Sequence, residues 1–199
     1  MADEKLDPAR TAVIAYDVAK RALTPADPAR RERMRPVLEA WGRLIGVARA
    51  AGIPVLYTTP VARADGGDLV MLPTDLSAET GSPPLSQIPE GLDEAGFPEE
   101  IAPGPGDHVF LKRRPSAFYG TGVAELLRMM RRDTIVIGGG ATNRGVETSV
   151  REAFSMDLRA IVVRECCWSG DQAAHNYSLD KAMKMYGRIR TLDQVLALL

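Results

Sequence analysis

The chain has 199 residues, of which 45% are hydrophobic and 26% charged, with a formal net charge of −1. This composition is that of a globular protein long enough to bury a substantial core, and it excludes an electrostatic case for binding nucleic acid or a membrane surface. No apolar stretch nears the ~20 residues of a membrane span. The opening run Met-Ala-Asp-Glu-Lys-Leu-Asp-Pro is acidic and polar, unlike a signal peptide. Cys166 and Cys167 are chain neighbours, and a bond between them would be strained, so reduced thiols and a cytoplasmic location are expected. The two histidines belong to no metal-spaced cluster, and the residues present call for no metal or cofactor.

Taken in order, Thr11–Asp17 reads as a strand with a carboxylate at its end. Arg30–Ala51 reads as a helix with Met34, Leu38, Trp41, Leu44, Ile45 and Ala48 on one face, stopped by Gly52. Pro54–Thr59 is a second strand. Residues Pro60–Gly106 break the rhythm, holding many of the 14 prolines and little periodicity. A loop this long is expected to be a lid, a binding loop or an oligomer contact, unless it is a tolerated surface insertion. Asp107–Leu111 is a third strand, and Thr121–Arg131 a helix carrying Leu126, Leu127 and Met130. Thr134–Ile137 is a fourth strand, buried on both faces, and it runs through a glycine-rich turn into a helix over Asn143–Asp157. Ala160–Val163 is a fifth strand and Asp171–Tyr186 a helix. Ile189 starts a last short strand, and Asp193–Leu199 closes as a helix. The alternation predicts a single α/β domain over 1–199, a three-layer α/β/α fold around a mainly parallel sheet of about six strands.

Ligands on open α/β sheets bind at the carboxyl ends of strands. Three such ends carry polar groups here: Asp17, Lys112 and the Gly138–Gly145 turn. A turn that feeds a helix N-terminus aims backbone N–H groups at an anion or oxyanion. Asp17 and Lys112 converging on it would share a proton and polarise a carbonyl; the plain alternative is a structural ion pair or a helix cap. The Gly138-Gly-Gly140 run also suggests a dinucleotide fingerprint, which fails because the third glycine of Gly-x-Gly-x-x-Gly would fall on Asn143. Cys166 and Cys167 are weak candidates for a nucleophile, since Glu165 would raise a thiol pKa and cysteine is commonly buried. Trp168 reads as a pocket wall or interface filler, His175 as structural or capping, and His108 as exposed.

Three blocks then occur in order: Ala15-Tyr-Asp17, Lys112-Arg-Arg-Pro-Ser116-Ala-Phe118 and Gly140-Ala-Thr-Asn-Arg-Gly145-Val-Glu-Thr148. Together they resemble the isochorismatase-like hydrolase superfamily, which includes nicotinamidases, carbamoylsarcosine amidases and isochorismatases, and the resemblance runs over nearly the whole chain. It implies an Asp–Lys–Cys triad whose thiolate attacks an amide carbonyl. By position the Asp is Asp17 and the Lys is Lys112, while the place of the nucleophile falls on Gly145, which has no side chain. The Gln that often follows the Asp is Ala19 here. The Gln–Arg pair that isochorismatases use near the second strand is replaced by Thr59-Pro60 with Arg63 beyond, and their turn differs at Ala141. A non-proline cis peptide near Gly140–Ala141, part of an oxyanion hole, is also implied.

True isochorismatases are similar in carrying Gly at that position. They hydrolyse an enol ether without a covalent intermediate: protonation of the vinyl group gives an oxocarbenium-like centre that water attacks, and the Asp is the general acid. Such an acid needs a pKa raised by burial, which a nearby Lys112 would oppose. The resemblance therefore implies a hydrolase of a small, anionic, carboxylated metabolite, with an enol ether favoured and an amide possible. The expected catalytic residues are Asp17 and Lys112. The expected substrate-binding residues are Ala141, Thr142, Arg144, Gly145, Phe118, Arg63 and Trp168. Arg144 is expected to hold a substrate carboxylate or else to pair with Glu147. The alternative function is a catalytically silent member that binds a ligand or a protein. A homo-oligomer, dimer or tetramer, is implied, with residues 60–106 or the helix after Gly145 at the contact.

Overall fold

β1, Thr11–Tyr16, is buried at every position. A strand with two buried faces must lie inside a sheet covered on both sides, and a computed structural model, which describes residues 5–199, places it there. The first four residues of the acidic opening run lie outside the described residues. The elements that follow are α1 (Lys20–Leu23), α2 (Pro28–Ala50), β2 (Val55–Ala62), α3 (Asp75–Thr80), β3 (Ile88–Pro89), β4 (His108–Lys112) and α4 (Val123–Met129). After them come β5 (Thr134–Gly140), α5 (Glu147–Ser155), β6 (Arg159–Trp168), α6 (Gln172–Asp180), β7 (Arg188–Arg190) and α7 (Leu192–Leu198).

The sheet has seven strands among the described residues, with β4, β2, β1, β5, β6 and β7 side by side and the two-residue β3 pairing the end of β2. Every pairing is parallel. Side chains alternate across it. Val13, Ala15, Val136 and Ile161 face a layer made by α2 and α7, through Trp41, Leu44, Ile45, Leu192 and Val195. Ala12, Ile14, Tyr16, Ile135 and Ile137 face a second layer made by α4, α5 and α6, through Val123, Leu127, Val150, Ala153 and Leu179. This is the expected three-layer α/β/α arrangement.

Several boundaries differ from the sequence reading, each for a local reason. α2 begins at Pro28 because the Asp27 carboxylate caps the Arg30 N–H at 2.7 Å, with proline at the first helical position. α4 starts only after Gly122, whose φ of 86° is not helical. β6 runs for ten residues rather than four. A register irregularity between Ile137 and Gly139 shifts its inside-outside alternation. Past that point the charged pair Arg164-Glu165 gives way to Cys166 in the first layer and Cys167 in the second. The helix expected over Asp171–Tyr186 ends at Asp180 and continues as a 3-10 turn over Ala182–Met185.

The 60–106 segment is an ordered part of the fold. It contains α3, β3 and two 3-10 turns, and it buries Ile88 and Ile101. Gln87 Nε2 donates to the Val61 carbonyl at 2.7 Å, Thr59 Oγ1 donates to the Ala95 carbonyl at 2.9 Å, and the Arg21 guanidinium holds the Ser86 carbonyl at 2.8 Å.

Trp41 is the largest side chain in the core. It is fully buried, and its indole N–H donates to the Cys166 carbonyl at 3.0 Å, tying α2 to β6. Trp41→Ala should lower the unfolding free energy by about 3–5 kcal/mol, read by urea denaturation, because it opens a cavity and leaves that carbonyl unpaired.

Candidate functional site

β1 runs out at Tyr16, and Asp17 turns into the left-handed region with φ 53°, which Asp tolerates better than most residues. Its N–H donates to the Thr58 carbonyl at 3.1 Å. Its carboxylate receives the Thr58 hydroxyl at 2.9 Å on Oδ1 and the Lys112 ammonium at 2.9 Å on Oδ2. Asp17 is 8% exposed and Lys112 4%. The ammonium of Lys112 reaches over β2, donates to the Arg114 carbonyl at 3.2 Å and lies 4.6 Å from the centre of the Tyr16 ring. Neither charge could be left alone at this depth, since an unpaired buried ion costs several kcal/mol.

Two opposed influences act on the Asp17 carboxyl. Burial raises its pKa, while the Lys112 charge and hydrogen bonds from Lys112 and Thr58 lower it. Burial wins, and the pKa stands above the ordinary carboxylate value. The native carboxyl therefore holds its proton more tightly than the unfolded one. Its contribution to stability is present below the unfolded value and is lost as pH rises through the raised one.

β5 ends in three glycines, and the Gly140–Ala141 peptide is cis. A side chain at 140 would overlap the Trp168 indole, which lies against the turn. The chain then makes one π turn over Thr142–Val146 before entering α5, a rare geometry that often occurs at functional sites. Ser149 fastens this turn to the segment after β4. Its hydroxyl donates to the Gly145 carbonyl at 2.6 Å and accepts the Ala117 N–H at 2.9 Å.

Asp17, Lys112 and the turn bound a cleft of about 440 Å³ at the carboxyl ends of the strands. It lies where the chain order reverses between β1 and β5, the usual ligand position in such sheets. Ala141, Arg144, Gly145 and Trp168 also line it. Three expected binding residues lie elsewhere. Arg63 is exposed and ion-paired with Asp65 at 2.6 Å. Phe118 packs into the second core layer. Thr142 is fully buried, its hydroxyl 2.8 Å from both the Trp168 carbonyl and His175 Nδ1. That hydroxyl has one proton, so donation to the carbonyl makes the imidazole the second donor, a structural role for His175. The possible Arg144–Glu147 pair is also replaced, because Glu147 pairs with Arg151 at 2.8 Å and accepts the Ser178 hydroxyl at 2.6 Å.

The cleft also takes in residues that sequence reasoning passed over: Tyr16, Arg21, Arg30, and Leu85 to Ile88 from the 60–106 segment. Only Tyr16 left a signal, as a polar-tipped side chain beside the strand-end Asp. Cys166 and Cys167 are buried within β6 and do not line the cleft. Burial pushes Cys166 well above the ordinary thiol value and Cys167 up to about 12, so neither is a thiolate near neutrality. His108, expected to be exposed, is half-buried. Among the described residues no cluster of three or more His, Cys, Asp or Glu could hold a metal, and no helix is long and apolar enough to cross a membrane.

Residues 11–194 match the family model of the isochorismatase domain. The chain belongs to the isochorismatase family. Maleamate amidohydrolase of Pseudomonas putida is 30% identical over 186 residues, covering 92% of this chain and 83% of that protein. N-carbamoylsarcosine amidase of an Arthrobacter species is 29% identical over 186 residues, covering 94% and 70%. Among solved structures, an isochorismatase family protein from Burkholderia thailandensis superposes with a TM-score of 0.83 at 26% identity, covering 99% of this chain and 98% of its own. Isochorismatase-family membership thus agrees with the seven-stranded fold, and the named relatives include hydrolases.

Thr58 contributes one of the interactions that hold the Asp17 pKa down. Thr58→Val should therefore move the Asp17 titration to higher pH, followed by carbon-13 NMR of the carboxyl group.

Proposed function

We propose that this protein hydrolyses a small anionic metabolite without forming a covalent bond to it, with Asp17 as general acid and base. The observation that carries the reading is the buried Asp17–Lys112 pair, facing a cleft lined by no thiol, with the carboxyl pKa raised. An enol ether fits this chemistry best. Asp17 gives its proton to the vinyl carbon, and the resulting oxocarbenium-like centre takes up water. The water's proton returns to Asp17, and the hemiketal collapses to a ketone and an alcohol. Lys112 stabilises the carboxylate formed in the first step. Amides remain the second substrate class, through water activated by Asp17; the amidohydrolase and amidase among the relatives support keeping it.

The charge of the cleft supports an anionic substrate. Arg21, Arg30, Arg113, Arg114 and Arg144 line it beside Lys112, against Asp17 as its one acidic residue. Arg113 is neutralised by Asp68 and Glu90. Arg30 and Arg144 have no ion-pair partner among the described residues, and both are exposed at the rim. Arg144, within the π turn, is the residue we assign to a substrate carboxylate. Ala141, Gly145 and Trp168 complete the pocket around the reacting group. Self-association belongs to the same reading, with the exposed Phe154 of α5 on the candidate contact face.

Mass-spectrometric turnover of a mixed panel of isochorismate-type enol ethers and small amides tests the reading, comparing native protein with Asp17→Asn. Loss of a general acid should cost about 10²–10⁴-fold in rate while ligand binding persists. Equal turnover by the two proteins would sink the assignment, and binding without turnover in both would make the cleft a recognition site. Because the acid must carry its proton, kcat/KM should fall as pH rises through the raised Asp17 value. Arg144→Ala should raise KM by roughly tenfold or more, the worth of a charge-assisted hydrogen bond, with a smaller change in kcat.

A further inference from the structure

Gly145 sits in the turn with a backbone conformation open to any residue, since its φ is not in the left-handed region. On backbone grounds alone, alanine there would be favoured over glycine. Space forbids it. A Cβ built on Gly145 would overlap the Tyr16 hydroxyl oxygen and Cζ, and would lie 2.6 Å from Tyr16 Cε1. All three of the nearest obstacles belong to this one ring.

The ring is not a flexible tip that could swing aside. Tyr16 is 2% exposed and ends a central strand flanked on both sides by parallel neighbours. Its hydroxyl donates to the Pro115 carbonyl, and the Lys112 ammonium sits over its face. At its base the strand is hemmed in by β5, where a Cβ added to Gly139 would overlap the Tyr16 backbone oxygen and stand 2.8 Å from Tyr16 Cβ. The phenol is therefore held at the floor of the cleft between Asp17 and the start of the π turn.

We propose that Tyr16 is the residue that commits this cleft to non-covalent chemistry. Its phenol occupies the volume that any side chain at 145 needs, so residues 16 and 145 form one coupled pair. A nucleophile cannot be restored at 145 unless Tyr16 is cut back. The proposal deepens the hydrolytic reading of the cleft. It is tested without turnover, so either can fail alone.

The test is a mutant cycle read by melting temperature and by the rate of iodoacetamide labelling, located by peptide mass spectrometry. In the native background, Gly145→Ala and Gly145→Cys should each lower the melting temperature by several degrees. In a Tyr16→Val background the sign should reverse, with Gly145→Ala neutral or stabilising. A cysteine at 145 should there label at least tenfold faster than in the Gly145→Cys single variant. Cys166 and Cys167 serve as buried internal controls. Tyr16→Phe should rescue neither substitution, because Cζ and Cε1 remain in the way. An unchanged melting temperature for Gly145→Ala in the native background overturns the proposal, even if Tyr16→Val fails to fold. Equal labelling of a cysteine at 145 with and without the Tyr16→Val change, or rescue by Tyr16→Phe, overturns it as well.

Discussion

The ion pair between Asp17 and Lys112 spans three adjacent strands. β1 supplies the carboxylate, β4 the ammonium, and β2 between them the Thr58 hydroxyl that braces the carboxylate. Both charges are nearly sealed from water, so each is tolerable only because the other is present. The order of the strands thus becomes a condition on the chemistry. Moving β4 away from β2 would leave two isolated ions in the core, and the sheet register and the site stand or fall together.

Around this pair the cleft is built by close approach more than by long side chains. The glycines at the end of β5 let Trp168 and Tyr16 press against the backbone. Ser149 then locks the π turn to the segment that follows Lys112. The reacting region is accordingly held by elements of the scaffold, while the cationic rim is carried by long arginine side chains. Under the proposed function, a fixed acid with an arginine rim would suit recognition of a small molecule by its anionic groups.

Much of the fold was legible because its strands are uninterrupted apolar runs. Ile135, Val136 and Ile137 form a short β-branched apolar run that fits a strand covered on both faces, and the strand-end Asp17 and Lys112 pointed to the edge where the cleft lies. Legibility failed where tertiary contacts override local pattern. Arg164 and Glu165 read as the end of a strand, yet β6 continues through them because Arg164 pairs with Asp180 and Glu165 accepts the Leu192 N–H. Phe118 and Thr142 lie in motif blocks at the site but point into the core, and sequence position does not record that direction. β3 is too short to have a period, and it is specified by its pairing with β2. Tyr16 showed in the sequence only as a polar-tipped residue beside Asp17, and its closeness to Gly145 is a tertiary contact that no local pattern records.

The irregularity in β6 has a chemical outcome. It exchanges the layers that the two adjacent cysteines face, so that Cys166 enters the layer of Val163 and Cys167 that of Val162, and the cleft itself is lined by neither cysteine nor methionine. Peroxide and soft electrophiles inactivate cysteine enzymes by attacking an accessible thiolate. This cleft offers them no sulfur atom, so the hydrolysis proposed for it would not depend on the redox state of a thiol.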